Sequence, residues 1–159
     1  MAKILIVYHS RTGHTEKMAS AVAEGAKQVK GIQITVKSVD QTKNEDLINA
    51  DGIIADSPTY YGLMSGKIKA LFDRSVKIHG KLAGKVGAAF TSSGGTASGA
   101  ETTLLSILNA MLVHGMIVQG RHDDKHFGAA AVEKPNEEEI EMCQRLGRRT
   151  AELILKLKE

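Results

Sequence analysis

At 159 residues, with 42% hydrophobic and 25% charged side chains, the chain has the size of one domain and an ordinary globular balance, which argues against disorder, a fibrous repeat or a second core. A formal net charge of +3 and a sequence pI near 9.0 raise nucleic-acid binding, but Lys and Arg are dispersed and no aromatic residues interleave with them to stack on bases, so no nucleic acid is expected. No apolar run approaches the ~20 residues that a bilayer requires, so no membrane insertion is expected, and Met1-Ala2-Lys3 leads into a strand-like run rather than a signal peptide, which sets the expectation of a cytoplasmic chain.

In chain order, short apolar runs alternate with helical stripes. Ile4-Leu5-Ile6-Val7-Tyr8 is a continuous β-branched and aromatic run, as for a strand covered on both faces. Met18, Val22, Ala26 and Val29 then recur at three- and four-residue spacing on one helical face. Ile32, Ile34 and Val36 alternate as a second strand, Thr42 with Glu45 resembles a capping box, and Gly52-Ile53-Ile54-Ala55 reads as a third strand. Met64, Ile68, Leu71 and Phe72 stripe a helix; Val86 to Thr91 is a fourth strand; Leu104, Leu105, Leu108, Met111 and Leu112 mark a further helix; and Met116-Ile117-Val118 is a short fifth strand.

Pro135 precedes a closing helix through about Leu157. On it the lone cysteine, Cys143, shares a face with Ile140, Gly147, Ala151 and Ile154, which reads as packing. With one cysteine there is neither an intrachain disulfide nor a Cys-based cluster. Five strands separated by helices imply βαβ crossovers, hence a parallel sheet with helices on both faces and a single domain over residues 1–159.

An open parallel sheet binds its ligand beyond the carboxyl ends of its strands, which singles out three loops. The first, His9-Ser10-Arg11-Thr12-Gly13-His14-Thr15, runs straight into a helix; its hydroxyls, glycine and backbone N–H groups suit a phosphate monoester, although a simple capped turn has similar composition. Neither a dinucleotide G-x-G-x-x-G nor a Gly-Lys-Ser/Thr P-loop is present. The second, Ser57-Pro58-Thr59-Tyr60-Tyr61-Gly62, gathers two of the three tyrosines, either to pack on a planar aromatic ligand or to cover sheet ends. The third, Thr91-Ser92-Ser93-Gly94-Gly95-Thr96-Ala97-Ser98-Gly99, carries only small side chains; it suits close backbone approach to a ring edge, or mere flexibility.

These residues carry a family resemblance. Ile6 to Thr15, followed by Ala19, resembles the flavodoxin fingerprint. Pro58 to Ser65, Thr91 to Gly95, Glu101-Thr102-Thr103-Leu104 and His114-Gly115-Met116 are similar to the WrbA-type NAD(P)H:quinone oxidoreductases, from residue 3 to the closing helix. The resemblance implies a flavodoxin-like three-layer sandwich with a five-stranded parallel sheet in the order 2-1-3-4-5. It implies FMN as cofactor, with its phosphate on Ser10, Arg11, Thr12, Gly13, His14 and Thr15. The ring would lie between Pro58, Thr59, Tyr60, Tyr61, Gly62 and Thr91, Ser92, Ser93, Gly94, Gly95, and His114 near its reactive side. Read without the resemblance, His114 interacts with a helix C-terminus. The segment between strands two and three is shorter than in the WrbA type, where extra structure contributes to tetramer contacts, so homo-oligomerisation and nicotinamide binding both stay open.

Two flavin functions follow from the resemblance: an enzyme that takes two electrons from NAD(P)H and gives them to a quinone, or a one-electron carrier docking on redox proteins. The basic pI favours the enzyme, because carrier flavodoxins are strongly acidic. His122 and His126, spaced like metal ligands, lie in a Gly-flanked loop, and no metal is expected. A phosphoreceiver reading would use Asp56 and Thr91, but the acidic pair it needs after strand one is Tyr8-His9-Ser10 here.

Overall fold

The computed structural model describes residues 1–159. Its elements are β1 (Ala2–Tyr8), α1 (His14–Lys27), β2 (Ile32–Ser38), α2 (Asn44–Asn49), β3 (Gly52–Pro58), α3 (Gly66–Arg74), β4 (Val86–Ser93), α4 (Ala100–Val113), β5 (Ile117–Val118), β6 (Ala129–Val132) and α5 (Glu137–Lys156), with a 3₁₀ turn at Ser75–Ile78. The sheet runs β2-β1-β3-β4-β5, every pair parallel, which is the expected flavodoxin-like order.

Period-two alternation divides the core. Ile4 and Ile6 of β1 face a layer made by α1 and α5, with Met18, Val22, Ile54, Phe90, Cys143 and Leu146. Leu5 and Val7 face the other layer, with Ile53, Ile68, Leu71, Ile107 and Met111. Between α1 and α5 the backbones nearly touch: a Cβ on Gly147 would lie 1.9 Å from the Val22 carbonyl oxygen, and one on Gly25 1.8 Å from that of Gln144. Cys143 is fully buried in this layer; burial, then the neighbouring Asp56 and Glu139, push its thiol up to about 12, so it packs as an inert side chain.

The structure differs from the sequence reading in two places. The fifth sheet position holds two strands: β5 pairs the start of β4 (Val86↔Ile117, Gly87↔Val118) and β6 pairs its end (Phe90↔Ala129 to Ser93↔Val132). The Ala-rich β6 lacks the β-branched signature of a strand, but close approach holds it, since a Cβ on Gly128 would lie 2.1 Å from the Ala89 carbonyl oxygen. The intervening excursion is tied down by Arg149, which donates to the carbonyls of Gln119 (2.5 Å) and Gly120 (3.2 Å). The short helix α2 is capped at Lys43 rather than Thr42: the Asp46 carboxylate accepts from the Lys43 N–H (2.9 Å), while Thr42 donates its hydroxyl to the Ser38 carbonyl (2.8 Å). The closing helix α5 stands where the sequence expected it, after Pro135, and opens with a capping box in which Asn136 and Glu139 exchange hydrogen bonds (2.9 and 2.8 Å), while Glu139 also accepts from Val132 at the end of β6 (3.1 Å). No helix is long and apolar enough to cross a membrane.

Candidate functional site

The carboxyl ends of β1, β3, β4 and β6 surround a cavity of about 600 Å³, within the range of small-molecule and cofactor sites. The β1–α1 loop contributes Arg11, Thr12, His14 and Thr15. Gly13, with φ 89°, is the N-cap of α1 and makes no side-chain cap, so the first-turn N–H groups have no acceptor within the helix. Ser10 turns inward instead, its hydroxyl accepting from the Gly13 N–H (2.9 Å). The β3–α3 loop contributes Pro58, Thr59 and Tyr60, and the end of β4 contributes Ser92, Ser93 and Gly94.

Hydrogen bonds lock these walls together. The His9 Nδ1 lies 2.8 Å from the Ser65 hydroxyl, and the Ser65 N–H donates to the Ser57 hydroxyl (2.7 Å), fixing loop one to loop two. His9 also meets Tyr60 edge-on, ring centroids 6.1 Å apart at 88°; burial and the nearby Lys67 lower its pKa, leaving a neutral ring. The Thr59 N–H donates to the Ser92 carbonyl (2.8 Å). Thr91 donates to the Ser57 carbonyl (2.6 Å), which leaves its oxygen to accept from Thr59 (3.0 Å).

Several sequence-assigned residues do not line the cavity. Ser10 and Gly13 shape the first loop, and the buried Thr91 joins strands. The Ser93 hydroxyl donates to the Gly95 carbonyl (2.9 Å), so Gly95 serves the turn of the third loop. Tyr60 and Leu63 exchange backbone hydrogen bonds (3.0 and 3.1 Å) around Tyr61 (φ 50°) and Gly62 (φ 75°), both left-handed as in a type I′ turn. That turn throws the Tyr61 side chain fully into solvent. Conversely, Glu133 and Lys134 line the cavity without having been read from the sequence. They follow the unrecognised β6, and the Glu133 N–H donates to the Ser93 carbonyl (2.7 Å).

One end of the cavity therefore offers open helix N–H groups, a threonine hydroxyl and the side chains of Arg11 and His14, while Lys134 joins the wall from just beyond β6. The other is a slot between Tyr60 and the small residues Ser92 to Gly94. A phosphate at the first and a planar ring at the second fit this donor set. A family model described as NADPH-dependent FMN reductase matches residues 2–123. The chain belongs to the NADPH-dependent FMN reductase family.

Individual relatives agree with this membership. A flavodoxin of Aquifex aeolicus is 43% identical, over 97% of this chain and 88% of its own length. An NAD(P)H dehydrogenase (quinone) of Archaeoglobus fulgidus is 37% identical, over 99% of this chain and its full length. Among solved structures, a flavodoxin, WrbA-like protein from Agrobacterium tumefaciens superimposes with a TM-score of 0.85 at 28% identity, covering 98% of this chain and 99% of its own.

In this reductase-family chain, His114 lies away from the cavity. It closes the C-terminus of α4, which starts beside the site and runs back for 14 residues, a rise of about 21 Å. The following Gly115 carbonyl accepts from Gly84, just before β4 begins, so His114 sits at the opposite edge of the sheet. There its Nε2 is 2.7 Å from the Ser75 hydroxyl, and burial, then His79, lower its pKa. The helix-terminus reading of His114 thus describes its place within the single chain.

Asp56 is fully buried near the end of β3, and neither of its carboxyl oxygens has a hydrogen-bond partner. It follows Ile54 by two residues and faces the α1–α5 layer with it. Burial raises its pKa well above the carboxylate range, opposed by the nearby His9 backbone and Thr15 hydroxyl. A side chain so enclosed is not a phosphoacceptor, which removes the receiver reading. At the β5–β6 excursion, His126 Nδ1 is occupied by the Arg121 carbonyl (2.7 Å) and Asp123 by the Arg121 guanidinium (2.5 and 2.9 Å).

Proposed function

We propose that this chain is a single FMN-binding domain over residues 1–159, acting in the cytoplasm as an NAD(P)H:quinone oxidoreductase. The observation that carries the reading is the cavity itself: an uncapped helix N-terminus with Thr12 and Arg11 at one end, the Tyr60 slot at the other, and Lys134 on the wall between β6 and α5. Support comes from the family and from the A. fulgidus relative, named an NAD(P)H dehydrogenase (quinone).

When bound, FMN supplies the acceptance of a hydride and its return as reducing equivalents, chemistry that needs no protein nucleophile. The chain's own part is to bind and orient. The α1 N-terminus and Thr12 hold the phosphate; Arg11 and Lys134 balance its charge. Thr59, tied to Ser92, and the edge-packed Tyr60 fix the slot width for the ring. The exposed Tyr61 at the mouth leaves room for nicotinamide and then quinone to reach the same face in turn. Whether His114 takes part depends on a second copy bringing it to the mouth, a homo-oligomer arrangement that belongs to the same proposal.

A one-electron carrier is the second reading, favoured by the A. aeolicus flavodoxin, whose alignment spans 162 positions against 191 for the A. fulgidus enzyme. An anaerobic spectrum of the FMN-reconstituted protein separates the two. Bleaching of the flavin band by NADH or NADPH, and its return on adding benzoquinone, is the expected result. A flavin that stays oxidised with nicotinamide yet gives a stable one-electron form with dithionite would replace the enzyme with the carrier.

A further inference from the structure

A carboxyl group buried with no partner is costly as an anion and much less so as a neutral acid. Asp56 is such a group, and its place is specific: near the carboxyl end of β3 beneath the 9–15 loop, with the His9 backbone and the Thr15 hydroxyl among its polar neighbours. The groups facing it supply no cation. From α5 comes the Cys143 thiol, neutral up to about 12, with Glu139 on its far side engaged by the N–H groups of Asn136 and Val132; from β1 comes Tyr8, whose hydroxyl donates to Glu16 (3.3 Å). From the loop comes His9, whose ring is turned to Ser65; from α1 comes Thr15; β4 and β6 present only Phe90 and the alanines of the same layer.

Thr15 donates its hydroxyl proton to the His9 carbonyl (2.7 Å), so its lone pairs remain free to accept. A neutral Asp56 suits this arrangement, because a carboxylic acid can both donate to a free Thr15 lone pair and accept from the His9 N–H, although neither contact is closed to hydrogen-bond distance in the structure. An ionised Asp56 can only accept; it would compete with the His9 carbonyl for the Thr15 proton and lay a negative charge under the anion site. We propose that Asp56 is a proton-holding positioning residue of the anion site: as a neutral acid it braces Thr15 and His9 for a bound phosphate, and its ionisation releases that phosphate. This rests on the reading that the loop holds the phosphate of FMN. By linkage, phosphate binding in turn favours the protonated carboxyl.

The test combines two measurements between pH 6 and 10. Infrared difference spectra of the FMN-free protein, wild type minus Asp56→Asn, are expected to show a protonated-carboxyl C=O band at neutral pH that disappears at alkaline pH. Titration of FMN fluorescence is expected to show wild-type affinity falling at least tenfold over the same range, with Asp56→Asn staying within about threefold and riboflavin, which lacks the phosphate, showing no such fall in either protein. Should Asp56→Asn fail to fold, infrared spectra of the wild-type chain at each pH minus its own neutral-pH spectrum carry the test, because loss of the protonated-carboxyl band and loss of affinity must share one midpoint. No band at neutral pH, a flat wild-type profile, or the same profile in Asp56→Asn overturns the inference and leaves FMN binding standing. Failure of both proteins to bind FMN at any pH overturns the underlying reading, and the inference with it.

Discussion

Lys134 stands just beyond β6 on the wall of the same cavity as Arg11, Thr12 and His14, and it is exposed. Replacing it with Ala removes one cation from a solvated phosphate site, so a roughly three- to tenfold weaker FMN affinity is expected, with riboflavin affinity unchanged. Fluorescence titration with both flavins reads this directly, and an equal loss for both would place Lys134 on the ring instead. The residue escaped the sequence reading because the strand before it, Ala129–Val132, has the composition of a helix or coil. The loops after β1, β3 and β4 were legible because continuous apolar runs point to them. Within those loops, which side chains turn inward was not legible: Tyr61 and Tyr60 are equivalent on paper, and only the left-handed turn at Tyr61 and Gly62 sends one to solvent and one to the cavity wall.

At the scale of elements, the closest contact is the crossing of α1 and α5. Gly147→Ala would put a methyl carbon 1.9 Å from the Val22 carbonyl oxygen, and no rotamer relieves a clash between backbones. The helices must separate, at a cost of about 1–3 kcal/mol, which lowers the melting temperature by very roughly 2–10 °C in a domain of this size. Calorimetry of the FMN-free protein checks this; an unchanged midpoint would mean that the helices sit farther apart than described. The stripe of Gly147 and Ala151 was visible in the sequence as a helical face, and the need for glycine follows only from the partner backbone. The excursion between β5 and β6 was legible as a loop through Gly120 and Gly128, whereas the return of the chain to the sheet edge rests on long-range fit that no local pattern encodes.

For the whole molecule, charge decides how substrates arrive. The chain carries a formal net charge of +3, and Arg11 and Lys134 place two cations at the cavity, against which Glu133 is the single acid on its wall. A field of this sign raises the encounter rate of anions and is screened over about 8–10 Å at physiological salt. NADPH, the most highly charged substrate considered, gains most. Its kcat/KM is therefore expected to fall severalfold as ionic strength rises from about 10 to 300 mM, that of NADH to fall less, and that for a neutral quinone to stay nearly constant. Steady-state kinetics in a salt series, with bound FMN monitored so that cofactor loss is not mistaken for slower encounter, makes the comparison. Equal slopes for the two nicotinamides would mean that the adenosine phosphate stays outside the reach of Arg11 and Lys134, and that these cations serve the FMN phosphate alone.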